Sequence, residues 1–104
     1  MFLKAPAATW LTAASLLLPA WAHASPGLVS ARDCLSCHEV DRTFNGPSFR
    51  QISARYKGDA TAQERLTKKI LTGGSGQWGA NNMPPQVISE SDARKVVQWI
   101  LTLK

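Results

Sequence analysis

The sequence predicts an all-α domain, and three observations carry that expectation. Apolar residues recur at helical spacing in four segments, glycine or proline punctuates the segment ends, and no stretch alternates apolar and polar residues with period two. No internal repeat or low-complexity tract follows the N-terminal region.

Residues Met1 to Ala24 have the grammar of a cleavable signal peptide. Lys4 supplies the positive region, Ala5 to Ala20 is apolar except for Pro6, Thr9, Thr12, Ser15 and Pro19, and Ala22-His23-Ala24 is a small-x-small cleavage site. The apolar run is shorter than the roughly 20 residues that span a bilayer, which favours cleavage over a retained anchor. The domain proper is therefore expected at 25–104, in the periplasm, with no stable membrane insertion after cleavage. No twin-arginine pair precedes the apolar run, so export as an unfolded chain is expected and any cofactor is added outside. The first cysteine, Cys34, follows Ala31-Arg32-Asp33, too far on to take a lipid beside the cleavage site.

The first helix is expected from about Pro26 to Leu35, with Leu28, Ala31 and Leu35 on one face. The second opens at Pro47, a good first helical residue, carries Phe49, Ile52 and Tyr56, and stops at Gly58. The third runs from about Thr61 to Thr72, with Leu66, Ile70 and Ala62 on one face, and stops at Gly73-Gly74. Ser89 caps the fourth, with Asp92 at capping-box spacing, and Ala93, Val96, Val97, Ile100 and Leu101 continue the period. Between the last two lies Gly73 to Val87, rich in Gly, Asn and Pro, a length that in a small domain signals function.

The formal net charge of +5 falls to +4 without Lys4. Secretion and the absence of a Lys/Arg block argue against nucleic acid, and a modest positive surface suits an acidic protein partner. Arg65, Lys68, Lys69, Arg94 and Lys95 are expected on a solvated face. A domain this small has a marginal apolar core and generally needs a disulfide, a metal or a cofactor to hold it.

Cys34-Leu35-Ser36-Cys37-His38 supplies the staple. C-x-x-C-H is the pattern for covalent haem attachment: thiols three residues apart point the same way, each able to bond one vinyl group, and the adjacent histidine reaches the iron. A thioredoxin-like pair needs a βαβ setting and no histidine, and a zinc site needs further ligands where the mature chain has one histidine and two cysteines. A structural disulfide stays open on spacing alone.

Met83 is the one methionine left after cleavage, in a loop stiffened by Pro84-Pro85, and its thioether suits the sixth iron position. Its alternative role is to fill a gap in the core, although core methionines usually lie on helix faces. A metal-bound imidazole needs a partner for its second nitrogen, and the Pro47 carbonyl follows His38 at loop distance, beside Gly46, which permits close approach. Of Trp78 and Trp99, one suits the haem and the other the helix core, with packing the simpler role for Trp99.

Taken together, Cys34 to His38, Gly46-Pro47, Trp78-Gly79, Met83-Pro84-Pro85 and the final Gln98-Trp99-Ile100-Leu101 resemble the small bacterial class I monohaem cytochromes over essentially the whole of residues 25–104. The resemblance implies a cytochrome c fold, four short helices wrapped around one covalently bound haem c, with first and last helices crossing. It implies His38 and Met83 as axial iron ligands, Cys34 and Cys37 as thioethers, and Pro47 as acceptor for His38. It also implies that Trp78 and Lys69 approach the haem propionates. Three departures stand out: Gln86 where an asparagine often steadies the methionine sulfur, Asp33 where glycine commonly precedes the first cysteine, and Val29 where an aromatic residue often joins the terminal helices.

With both axial positions filled by protein, the expected role is outer-sphere electron transfer by a monomeric carrier that meets acidic redox proteins through an exposed haem edge. The rival is a haem enzyme with a labile Met83. A milder variant is the cytochrome subunit of a larger oxidoreductase.

Overall fold

The computed structural model describes Leu3 and residues 21–104; most of the expected signal peptide lies outside the described residues. Among the described residues four α-helices follow in order: α1 (Trp21–Ala31), α2 (Phe49–Arg55), α3 (Ala62–Thr72) and α4 (Glu90–Thr102), with one 3-10 turn at Cys34–Ser36 between α1 and α2. Among the described residues there is no sheet, only an isolated antiparallel bridge between Gly74 and Met83. No described helix is long and apolar enough to cross a membrane.

The α4 helix is the hub on which the other three pack. Its stripe of Ala93, Val96, Val97 and Ile100 is buried, and Val96 and Ile100 meet Val29 from α1, Phe49, Ile52 and Tyr56 from the α2 segment, and Ala62 from α3. Val29 is almost fully buried, so an aliphatic side chain fills the α1–α4 crossing. Leu66 and Ile70 of α3 pack against the edge of this core.

Helix ends follow local chemistry. Ser89 Oγ accepts from Asp92 N at 3.1 Å and caps α4. The Asp92 carboxylate turns instead to Arg32 and Lys95, so half of the expected capping box forms. The α3 helix stops where Gly73 takes φ 69°, its N–H returning to the Lys69 carbonyl. The α2 helix starts two residues later than expected. Ser48 is its N-cap, accepting from Gln51 N at 3.0 Å while the Ser48 N–H donates to Gln51 Oε1 at 2.8 Å, a complete capping box. Pro47 therefore stands outside the helix.

The first helix also differs from expectation. It ends at Ala31 rather than Leu35, because Asp33 adopts φ 63°, ψ 17°, a left-handed conformation that an α-helix cannot contain. Leu35, expected on the apolar face, is exposed on the 3-10 turn.

Candidate functional site

The motif residues are set by the break at Asp33. Its carbonyl accepts from Ser36 N at 3.2 Å and Ser36 Oγ at 2.8 Å, and the Cys34 carbonyl accepts from Cys37 N at 3.2 Å and His38 N at 3.0 Å. The bonds at Ser36 and Cys37 are i to i+3, a turn of three residues with Cys37 as its C-cap, which brings Cys37 round to the side of Cys34. Both are unbridged and partly buried. Burial pushes the Cys34 thiol up, Asp33 adds to the rise, and a backbone hydrogen bond opposes it. A raised thiol is the reverse of the lowered one that thiol-redox pairs depend on. Among the described residues no three of His, Cys, Asp and Glu converge, so a zinc centre has no ligand set.

His38 is held from three sides. Its Nδ1 lies 2.7 Å from the Pro47 carbonyl oxygen, an acceptor only, so Nδ1–H donates and the lone pair resides on Nε2. The ring stacks on Phe49 at 5.3 Å, and Phe49 meets Trp99 edge-on at 5.5 Å, which places Trp99 with the helix core. The third wall is the backbone of Gly46: a Cβ there would stand 2.6 Å from His38 Cε1. Gly46 N donates to the Cys37 carbonyl at 2.8 Å, closing the loop onto the motif.

Met83 is held by its backbone. It exchanges two 2.9 Å hydrogen bonds with Gly74, and Gly73 presses so close that a Cβ would lie 2.3 Å from the Met83 carbonyl oxygen. Gln86 N donates to the Ile70 carbonyl at 3.0 Å, which fixes the far side of Pro84-Pro85 to α3. The Gln86 side chain donates to the Pro84 carbonyl at 2.8 Å. Asn81 Nδ2 reaches the Asn45 carbonyl at 3.0 Å and ties this loop to the one carrying Gly46 and Pro47. The His38 and Met83 segments are thus joined.

Trp78 is exposed, and the cation over its ring is Arg55 of α2, at 4.5 Å from the centroid. Arg55 also donates to the Gln77 carbonyl, while Tyr56 Oη donates to Gln77 Oε1 at 3.0 Å. The Lys69 amine lies against Gly74, 2.9 Å from where a Cβ would be. Arg55 and Asn81 carry no local sequence signal, because both act on partners more than 20 residues away. Ser48 and Gln51 did carry one, the S-x-x-Q spacing of a capping box.

These residues fit a covalently held haem. Two unbridged thiols sit on one edge of a turn, an imidazole is fixed with Nε2 free beside a glycine cradle, and a thioether is anchored on a loop tied to the same region. Leu35, Phe44 and Trp78 remain exposed on the same segments, apolar surface that a large flat ring can cover.

Comparison with known proteins agrees. The family model for cytochrome c matches residues 25–104. The chain is 42% identical over 77 residues to cytochrome c-551 of Azotobacter vinelandii, covering 74% of this chain and 94% of that one. It is 39% identical over 99 residues to cytochrome c-552 of Nitrosomonas europaea, covering 91% and 96%. The crystal structure of wild-type Nitrosomonas europaea cytochrome c552 superposes with a TM-score of 0.74 at 40% identity, covering 76% of this chain and 99% of that one. The chain belongs to the cytochrome c family, as a small class I monohaem member that binds haem c covalently and transfers electrons.

Proposed function

We propose that this protein is a periplasmic one-electron carrier in which Cys34 and Cys37 hold the haem as thioethers and His38 Nε2 and Met83 sulfur are the axial iron ligands. The observation that carries the reading is the 2.7 Å bond between His38 Nδ1 and the Pro47 carbonyl. It sets the tautomer and points the lone-pair nitrogen away from Pro47. The chemistry the haem supplies when bound is a reversible ferric/ferrous couple.

The chain's own residues do the remaining work. Phe49 and Gly46 fix the plane of His38, the Gly74–Met83 bridge fixes the methionine backbone, and the Asn81–Asn45 bond joins the two sides. With His38 and Met83 both holding the haem, no position would be left for a substrate, and the chemistry the group would supply is electron exchange with partners. Pro47, Lys69 and Trp78 complete the haem surroundings in this reading.

Removal of residues 1–24 belongs to the same proposal. The cut after Ala24 falls inside α1, and Pro26 within that helix removes one backbone donor. After cleavage Pro26 stands near the new helix start, where a missing N–H costs nothing. The working form is a monomer that meets acidic redox proteins.

Visible spectra of the purified protein in both oxidation states, with carbon monoxide added to the ferrous form, test the reading. A low-spin spectrum, a weak far-red sulfur-to-iron band in the ferric state and no carbon monoxide uptake are expected. Carbon monoxide binding by the parent protein, or turnover of peroxide by it alone, overturns the carrier assignment.

A further inference from the structure

We propose that Asn45 is a self-modification site: when the loop around it opens, the Gly46 amide converts its carboxamide to isoaspartate, and the lengthened backbone no longer seats Gly46 and Pro47 against His38. The chemistry belongs to the chain alone and holds whether or not the protein is an electron carrier.

The fold demands glycine at position 46. A Cβ there would stand 2.6 Å from His38 Cε1 and 2.9 Å from Nδ1, and the next residue, Pro47, gives its carbonyl to Nδ1 at 2.7 Å. The residue before it is asparagine, and Asn45-Gly46 is the one Asn-Gly pair in the chain. Glycine has no side chain to hinder the approach of its nitrogen to the asparagine Cγ, so this is the asparagine quickest to cyclise. Asn81 and Asn82 precede Asn82 and Met83 and lack that freedom.

The reaction needs only water. The Gly46 nitrogen bonds to Asn45 Cγ, the Cγ–Nδ2 bond breaks, and Nδ2 leaves as ammonia with the proton given up by Gly46. Water then opens the cyclic imide at one of its two carbonyls. Opening at Cγ leaves aspartate, and opening at the former backbone carbonyl leaves isoaspartate, with the chain now running through Cβ and Cγ. Either product gains one negative charge.

In the folded chain backbone hydrogen bonds hold this reaction closed. The attacking nitrogen is engaged, since Gly46 N–H donates to the Cys37 carbonyl at 2.8 Å. Beside it, Phe44 N–H donates to the Gly46 carbonyl at 3.0 Å, and Asn81 Nδ2 donates to the Asn45 carbonyl at 3.0 Å. Cyclisation must turn the Asn45–Gly46 peptide until its nitrogen faces Cγ, which breaks the bond to Cys37 first. The folded-state rate is therefore the intrinsic rate scaled by the fraction of time the loop is open. Isoaspartate puts an extra carbon into a loop pinned at Cys37 and pressed on His38, so the opened loop does not close again as before.

The test ages the haem-loaded protein in mildly alkaline buffer, folded and in concentrated urea, with isoaspartate counted by enzymatic methylation and located by peptide mass spectrometry. In urea Asn45 should convert ahead of Asn81 and Asn82, and in the folded protein it should convert at least about tenfold more slowly. Asn81→Ala removes one hydrogen bond from the loop and should speed the folded-state conversion about fivefold, with the Gly46 amide exchanging its hydrogen faster by the same factor and the rate in urea unchanged. The isoaspartate form, separated by its added negative charge, should melt several degrees below the parent. Equal rates in the folded and unfolded chain, or modification first at Asn81 or Asn82, overturn the proposal. So does an Asn81→Ala protein whose Gly46 amide exchanges faster while Asn45 converts no faster, and so does an isoaspartate form that melts with the parent.

Discussion

Replacing Gly46 by alanine probes the His38 cradle with one methyl group. Gly46 does not have positive φ, so its backbone accepts an alanine and the perturbation is contact alone. The new Cβ would stand 2.6, 2.9 and 3.2 Å from His38 Cε1, Nδ1 and Nε2. Carbon atoms settle near 3.5–4.0 Å, so the ring must withdraw by about 1 Å. A ring on a 2.7 Å hydrogen bond and stacked on buried Phe49 has little room for that move. Overpacking costs about 1–3 kcal/mol and a lost hydrogen bond about 1 kcal/mol, against about 0.4–1 kcal/mol recovered from a less flexible unfolded chain. The expected net loss is about 2 kcal/mol, which lowers the melting temperature of a domain this size by about 10 °C. Circular dichroism melts of the haem-loaded protein read the loss, and the visible spectrum reads the displaced imidazole. A variant melting within about 2 °C of the parent with an unaltered spectrum would refute the cradle.

Three other substitutions address separate parts of the account. Asp33→Gly relieves a left-handed residue and should raise stability by about 0.5–1 kcal/mol, read as a higher urea midpoint at unchanged slope. Met83→Ala should abolish the far-red band, admit carbon monoxide to the ferrous protein and lower the midpoint potential. Arg94 holds the Glu64 carboxyl below its ordinary value, first by hydrogen bonding and then by charge. A lowered folded-state value stabilises the fold above about pH 4.3, and that contribution is lost as pH falls through it. Arg94→Gln should therefore narrow the stability difference between neutral and acidic pH, modestly and less at high salt because the pair is exposed.

What was legible in the sequence was mostly local. The stop at Gly73, the Ser89 cap and the apolar stripe of α4 depend on residues within a turn of one another, and the structure has all three. The start of α2 is equally local: Pro47 suits a first helical residue, but the Ser48–Gln51 capping pair sets the start two residues later. Apolar spacing runs on past Asp33 and puts Leu35 on the helix face, whereas the left-handed backbone at Asp33, which no periodicity registers, leaves it exposed. At the site, the cysteines, the histidine and the methionine stand out by type and spacing. The Arg55–Trp78 stack and the Asn81–Asn45 tie are tertiary, since α2 and the Asn45 loop must first meet the Gly73–Val87 segment.

The central claim, a single haem bound through Cys34 and Cys37 on a processed chain, is tested most directly by the intact mass of the denatured protein recovered from the periplasm. The account predicts the mass of residues 25–104 plus one haem, retained under denaturant and lost when both cysteines are changed to alanine. The bare mass of the polypeptide, with the colour extracted into acidified organic solvent, would contradict it.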